Sequence, residues 1–331
     1  MEFIKRFSPK TVGISAALIT LIIWTAFIVI ARASAQRTLN PLDIALARLV
    51  GAALVLLPWG WWLVRRDAQR SPEGKACPSS LFGLSPLSFR VSASIGFFGG
   101  FLHAAIANGG FVYAPAAHAS VLMPGSLPLW TTLMSMWILG SRITPARALG
   151  LLLILLGDLM VGGASLLQAW DGGEVWKGDL LFIAGALCWS AYSVMARRYQ
   201  VDPVRATIAI TVFGVFSYIP VYAFMVLTEL LQSQIGVAPL GDFLFQMVFQ
   251  GLFSVVISGI TFTQMIRYFG PVRSTMITAL VPGLSALGAV IFLNEPLSWN
   301  LLLGLALVTL GILFGVRSSL PARPAPLADT P

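Results

Sequence analysis

The sequence predicts an all-α integral membrane protein, with ten transmembrane helices arranged as two inverted five-helix repeats around a central cavity. Three observations lead there. First, the 331-residue chain is 57% hydrophobic and 10% charged, where soluble domains carry about 25% charged residues. Second, runs of 18 or more apolar residues recur along it, each long enough to cross a bilayer core. Third, Trp24-Thr-Ala-Phe-Ile-Val-Ile-Ala-Arg32 returns as Trp189-Ser-Ala-Tyr-Ser-Val-Met-Ala-Arg197, with Trp, both Ala, Val and Arg kept in place. A repeat of this kind divides the chain into two related halves.

A second match, 154 residues apart, supports the division. Leu139-Gly140 aligns with Leu293-Asn294, Gly150 and Gly157 with Gly304 and Gly311, and Pro128 with Pro282. The tryptophans lie 165 residues apart, so the first half carries about eleven extra residues. The polar stretch 71–87 is the place for them. Residues 1–170 form the first repeat, 171–320 the second, and the proline-rich 321–331 a disordered cytoplasmic tail.

The first half reads as spans at 11–31, 42–64, 91–112, 116–139 and 146–168. The second reads as 179–197, 206–231, 244–268, 272–293 and 297–316. With the N-terminus in the cytoplasm, only Arg32, Arg37 and Lys177 fall outside, Arg48 lies within a span, and the other Lys and Arg face inward. That lopsided split sets the orientation and puts both termini in the cytoplasm. Five spans is an odd number, so the second half enters from the opposite face. The halves are then related by a pseudo-two-fold axis in the membrane plane. The net charge of +8 fits basic cytoplasmic loops better than nucleic-acid binding. The first span has no small-residue cleavage site. Cys77 and Cys188 are not expected to pair.

The spans carry the candidate site residues. Trp24 and Phe27 share one face of the first span, and Trp189 and Tyr192 one face of the sixth. Both tryptophans approach the midplane, where they could stack on a planar substrate. The second span holds Arg48 near its outer end, placed to reach toward the interface or to pair with Asp43. His103 and Asn108 lie in the third span, and a histidine at that depth is a functional candidate. The fourth span holds Pro124 and Pro128, and the ninth Pro282 and Gly283. Prolines at matching positions point to broken helices at a binding site or hinge. The eighth span has the strongest pattern: Gln246, Gln250, Ser254, Ser258, Thr261, Gln264 and Tyr268 form one polar stripe. Ser254, Ser258, Thr261 and Gln264 are expected to line the cavity. Asp158 in the fifth span reads as structural. Gly311-x-x-x-Gly315 in the last reads as close packing within a monomer.

On these residues the chain resembles the drug/metabolite transporter superfamily, EamA type. The resemblance rests on the ten spans, Trp24 and Trp189, Arg48 in Ala-Arg-Leu-Val-Gly, Ala107-Asn108-Gly109 through Tyr113-Ala-Pro-Ala-Ala-His118, and Leu293-Asn-Glu-Pro296. Within that group it looks most like bacterial aromatic amino-acid exporters. The resemblance implies spans 1–4 and 6–9 around a cavity, spans 5 and 10 outside them, and export from the cytoplasm across the inner membrane by alternating access. Ser141-Arg142 departs from the pattern, since relatives often have an acid there matching Glu295.

The exclusions are consistent. No G-x-x-x-x-G-K-[ST] loop occurs, so no fused ATPase drives the protein. No lysine lies within a span, which argues against phosphorylated substrates. Neither H-E-x-x-H nor metal-ligand spacing occurs, and no cofactor or enzymatic reaction is expected. The expected partners are a small-molecule substrate and the lipid bilayer.

Overall fold

The structure is a computed structural model that describes residues 9–35, 37–70, 79–168, 172–278, 280–296 and 298–317. The expected tail 321–331, Cys77 and residues 71–78 of the expected loop lie outside the described residues. Among those described, the chain is helical, with no strand and one isolated bridge, Ser80 to Ser85.

Helices α1 (Pro9–Ala35) and α2 (Pro41–Arg70) are long and continuous. Asn40 and Asp43 start α2 reciprocally: Asp43 N–H donates to Asn40 Oδ1 (2.8 Å), and Asn40 N–H to Asp43 Oδ2 (3.4 Å). This is a capping box, which satisfies backbone donors that the first turn leaves free. Next come α3 (Phe89–Gly96) and α4 (His103–Tyr113), joined end to end by a π-helical stretch, Phe97–Leu102. Helix α5 (Ala116–Ser120) leads through a second π stretch, Val121–Gly125, to α6 (Leu127–Leu139). Helix α7 (Pro145–Gln168) completes the first half.

The second half contains α8 (Val175–Arg198), α9 (Pro203–Leu227), α10 (Leu240–Gln246), a long π stretch Met247–Ile257, and α11 (Ser258–Phe269). It ends with α12 (Pro271–Ile277), α13 (Leu280–Leu293) and α14 (Trp299–Arg317). Among the described residues, seven helical runs are long and apolar enough to cross a membrane, and α14 adds a shorter apolar run. Leu18, Ile22 and Phe292 are exposed along these helices, and Leu152 and Leu159 along α7, as expected of surfaces solvated by lipid rather than water.

Contacts between the halves come in matched pairs. Helix α1 packs on α11 and α13, and α8 packs on α4 and α6. Helix α2 packs on Met247–Ile257, and α9 on α3 and Phe97–Leu102. Two pairings are self-matched, α2 on α9 and α7 on α14. The α7–α14 crossing shows why. A β-carbon at Gly157 would lie 2.6 Å from Gly304 O, and one at Gly311 would lie 2.5 Å from Gly150 O. The sequence repeat turns one contact into the other. The backbones touch because these four positions have no side chain. Gly311 therefore packs within the chain, and the surroundings of Gly315 lie outside the described residues. The repeat also extends to backbone geometry. Gly140 (φ 65°) and its counterpart Asn294 (φ 54°) are both left-handed after a helix end, and Gly and Asn are the residues that adopt this conformation most readily.

Candidate functional site

The two halves meet on their tryptophans. Trp24 and Trp189 stand edge to face with ring centroids 5.6 Å apart. Phe262, one turn beyond Ser258 on α11, lies 4.8 Å from Trp24 and 5.5 Å from Trp189. The His103 ring lies 4.7 Å from Trp189. Each such pair contributes about 0.5–1.5 kcal/mol beyond its buried area, so this cluster is a rigid floor.

Beside it lies a small chamber lined by Trp24, Phe27, Arg48, His103, Pro124, Trp189, Ser254 and Ser258, with Ile28, Met123, Leu127 and Val281. A second chamber adjoins it, sharing Arg48, Trp189 and Ser254 as common wall and reaching Tyr192, Gly99, Gly100 and Tyr218. All three π stretches contribute to these walls: Gly99 and Gly100 from the first, Pro124 from the second, Ser254 from the third. A π turn shifts the phase of a helix locally and often marks a functional site. Pro124 lacks the N–H that a regular ladder needs. Gly99 leaves room for Tyr192, whose Cγ would lie 2.8 Å from a β-carbon there.

The polar stripe of the eighth span divides by task. Gln246, Gln250, Ser254 and Ser258 are all buried. A spacing of four drifts about 40° per step in an α-helix, and the wider π turns of Met247–Ile257 counter that drift. Gln246 Nε2 donates to Ser34 Oγ (2.6 Å), and Thr261 and Thr20 share a hydroxyl bond (2.8 Å). Ser258 Oγ accepts from Trp24 Nε1 (3.0 Å). Thus Ser254 and Ser258 face the chamber, whereas Thr261 ties α11 to α1. Gln264 is half-buried and lines neither chamber.

The other expected residues also separate. His103 Nδ1 lies 3.1 Å from Gly185 O. A carbonyl only accepts, so Nδ1 carries the proton. Asn108 is turned away from the chambers, donating to Ala104 O (2.8 Å) in its own helix. The Tyr192 hydroxyl bonds to Thr263. Pro128 and Pro282 lie in the first turns of α6 and α13, where a missing N–H costs no bond. The breaks themselves fall at Ser126 and Thr278. Gly283 is on the outer surface with no neighbour within 4 Å of a β-carbon.

Arg48 differs most from expectation. It neither reaches the interface nor pairs with Asp43. Asp43 instead accepts from Tyr222 Oη, Ser233 Oγ (3.1 Å) and Gln234 N–H (2.8 Å), which ties the 228–239 loop to the start of α2. Arg48 points inward: Nη1 donates to Gln250 Oε1 (3.3 Å) and Ser254 Oγ (3.2 Å), and the guanidinium carbon lies 5.7 Å from the Phe27 centroid. Residues that sequence reasoning missed are Phe262, Met123 and the Gly99-Gly100 pair. Phe262 was detectable, because it extends the Ser254–Ser258 face by one turn.

His118 pairs with Asp179 (2.9 Å), away from His103. Asp158 is buried in α7, with Oδ1 unpartnered. Among the described residues no group of three His, Cys, Asp or Glu side chains could hold a metal.

A helical chain with apolar outer faces and a polar–aromatic chamber among its helices has the build of a multi-pass membrane transporter. The EamA-like transporter family model matches residues 11–163 and 176–317, and the chain belongs to that family, within the drug/metabolite transporter superfamily. It is 27% identical over 229 residues to the uncharacterized transporter YyaM of Bacillus subtilis (strain 168), covering 69% of this chain and 72% of that one. An uncharacterized transporter of Archaeoglobus fulgidus is 25% identical over 226 residues, covering 68% and 76%. A crystal structure described only as that of a protein aligns with 94% of this chain and 98% of its own, at a TM-score of 0.58 and 24% identity. That likeness concerns the fold alone.

Proposed function

We propose that the protein is a secondary transporter that exports amino acids, aromatic and other bulky neutral ones, across the bacterial inner membrane. Ten spans in two inverted halves alternate access to the shared chamber. Both termini face the cytoplasm, and the working unit is a monomer. The observation that carries this reading is the chamber wall, where Trp24 and Phe27 of one half face Trp189 of the other. Matched contacts between the halves support the inverted relation. Such a relation lets one packing be exchanged for its mirror image, opening the chamber to each side in turn.

The test is uptake by purified protein in liposomes, using labelled Phe, Trp, Thr, Met, Lys and Glu. Flux of the bulky neutral set should fall about tenfold or more in Trp189→Ala and His103→Ala, equivalent to losing roughly 1.4 kcal/mol of binding. Flux unchanged in both variants would move the substrate elsewhere. A second reading is export of drugs, purines or other small metabolites. It is favoured by the lack, among the described residues, of any Asp or Glu on either chamber wall to answer an amino group. It predicts broad competition by unrelated amphiphiles and no flux of any amino acid.

A further inference from the structure

Among the described residues, the only fixed charge on the walls of the two chambers is positive and has no acidic partner. Arg48 is 8% exposed and borders both chambers. It forms no ion pair with any described residue. Its described partners are the neutral Gln250 and Ser254, and both bonds use Nη1. Nε and Nη2 have no bond to a described residue. Together they form one edge of the planar fork, the edge a carboxylate engages with two parallel hydrogen bonds.

The surroundings keep that edge available. Asp43, one turn earlier on α2, is occupied by Asn40, Tyr222, Ser233 and Gln234. Gln250 holds the guanidinium through Oε1, while its own Nε2 is buried without a partner. Trp189 Nε1 is a second buried donor without one. The wall thus offers a cation and an unpaired donor at Trp189, and no carboxylate. An uncompensated buried cation is costly, and an arriving anion removes that cost.

We infer that the chamber holds its substrate by a carboxylate, seated on the Nε–Nη2 edge of Arg48, with an aromatic or bulky apolar body against Trp24 and Trp189. This rests on reading the chamber as the transport site. The substrate class is the monocarboxylate with such a body, with or without an amino group. An ammonium would meet only ring faces, hydroxyls and carbonyls. A doubly charged phosphate would have one guanidinium where it needs several donors. The amine is therefore tolerated rather than selected.

Binding, read by intrinsic tryptophan fluorescence of purified protein, tests this without any transport step. The probes are phenylalanine, 3-phenylpropionate (carboxylate without amine) and phenethylamine (amine without carboxylate). 3-Phenylpropionate should bind within about tenfold of phenylalanine, and phenethylamine about 10- to 100-fold more weakly, the range of a lost charge-assisted bond. Arg48→Gln should erase the difference, and Arg48→Lys should keep part of it. The wild-type comparison decides even if Arg48→Gln does not fold. Phenethylamine binding as well as 3-phenylpropionate, or no saturable change with any probe, overturns the inference. Carboxylate-selective binding in a protein with no amino-acid flux would support it while removing the exporter reading.

Discussion

Under the proposed inverted repeat the two ends of the molecule should be equivalent, and their charges differ. Arg32 at the end of α1 corresponds to Arg197 at the end of α8. Glu295 after α13 corresponds to Ser141 after α6. At the first end Arg32 Nε pairs with Glu295 Oε1 (3.0 Å), and Arg32 Nη1 donates to Phe111 O (2.8 Å). Glu295 also accepts from Ala116 and Ala117 N–H (3.3 and 3.4 Å), capping α5 and drawing four helix ends together. At the other end, where Gly13 packs on Tyr268 and Phe269, Arg197 has, among the described residues, only Arg267 O (3.2 Å). The departure from the family pattern at Ser141 thus has a physical consequence: Arg32 is fastened to Glu295 by an ion pair while its counterpart Arg197 is not, and the second end is held by other pairs, Arg267 with Asp202 (3.2 Å) and Arg205 with Asp67. Backbone packing follows the repeat, as at Gly157 and Gly304, while the charges do not.

Removing the fastening tests the difference most strongly. The Arg32 and Glu295 side chains are 19% and 13% exposed. They fall between surface pairs worth 0–1 kcal/mol and buried ones whose breakage costs 3–5 kcal/mol. Arg32→Gln should therefore destabilise by about 2 kcal/mol, lowering Tm in detergent by about 3 °C. Arg197→Gln should change it by less than about 0.5 kcal/mol. Equal effects would mean that the ends are equivalent after all. Under alternating access, the same 2 kcal/mol would shift the resting population toward opening at the Arg32 end by roughly 30-fold.

The tryptophans show the same asymmetry at the centre. Trp24 Nε1 donates to Ser258, whereas Trp189 Nε1 is buried without a partner. Where α11 offers Trp24 a hydroxyl, α4 offers Trp189 the His103 ring. Phenylalanine removes the N–H and a similar volume at each site. Trp24→Phe should therefore cost about 1 kcal/mol more than Trp189→Phe, the net value of one hydrogen bond. Thermal unfolding of the two variants side by side measures this, and equal losses would show that the Ser258 bond contributes nothing.

Much of this was legible in the sequence. The apolar runs locate the helices, because a spanning helix must be apolar over its whole length. The repeat brings Trp24 and Trp189 together and aligns Gly140 with Asn294. Four residues of the expected chamber set, Trp24, Phe27, His103 and Trp189, were readable as aromatic or titratable groups at depth. The direction of Arg48 was not, because it depends on what Asp43 bonds to, and those partners, Tyr222 and Ser233, lie 179 and 190 residues away. The π stretches were not legible either. Only Val121–Gly125 contains a proline, and the other two have no local residue that requires a wider turn. The places of Pro128 and Pro282 depended on helix boundaries, which shift by a few residues without changing the hydropathy that locates the span.

The smallest expected effect comes from restoring the missing half of the comparison. Ser141 has a buried hydroxyl with no partner, and it follows Gly140 as Glu295 follows Asn294. Ser141→Glu would offer Arg197 the carboxylate that its counterpart already has. Because Arg197 is solvent-accessible, the gain should be small, about 0.5 kcal/mol, and should fade as salt is raised. A double-mutant cycle of Ser141→Glu with Arg197→Gln isolates the pair from any effect of either change alone. A coupling near that size would make the second fastening real, and uptake should then slow because both ends must be unfastened in each cycle. No coupling would show that the repeat places these two positions too far apart to meet, so that the fastened end owes its ion pair to local geometry as well as to residue identity.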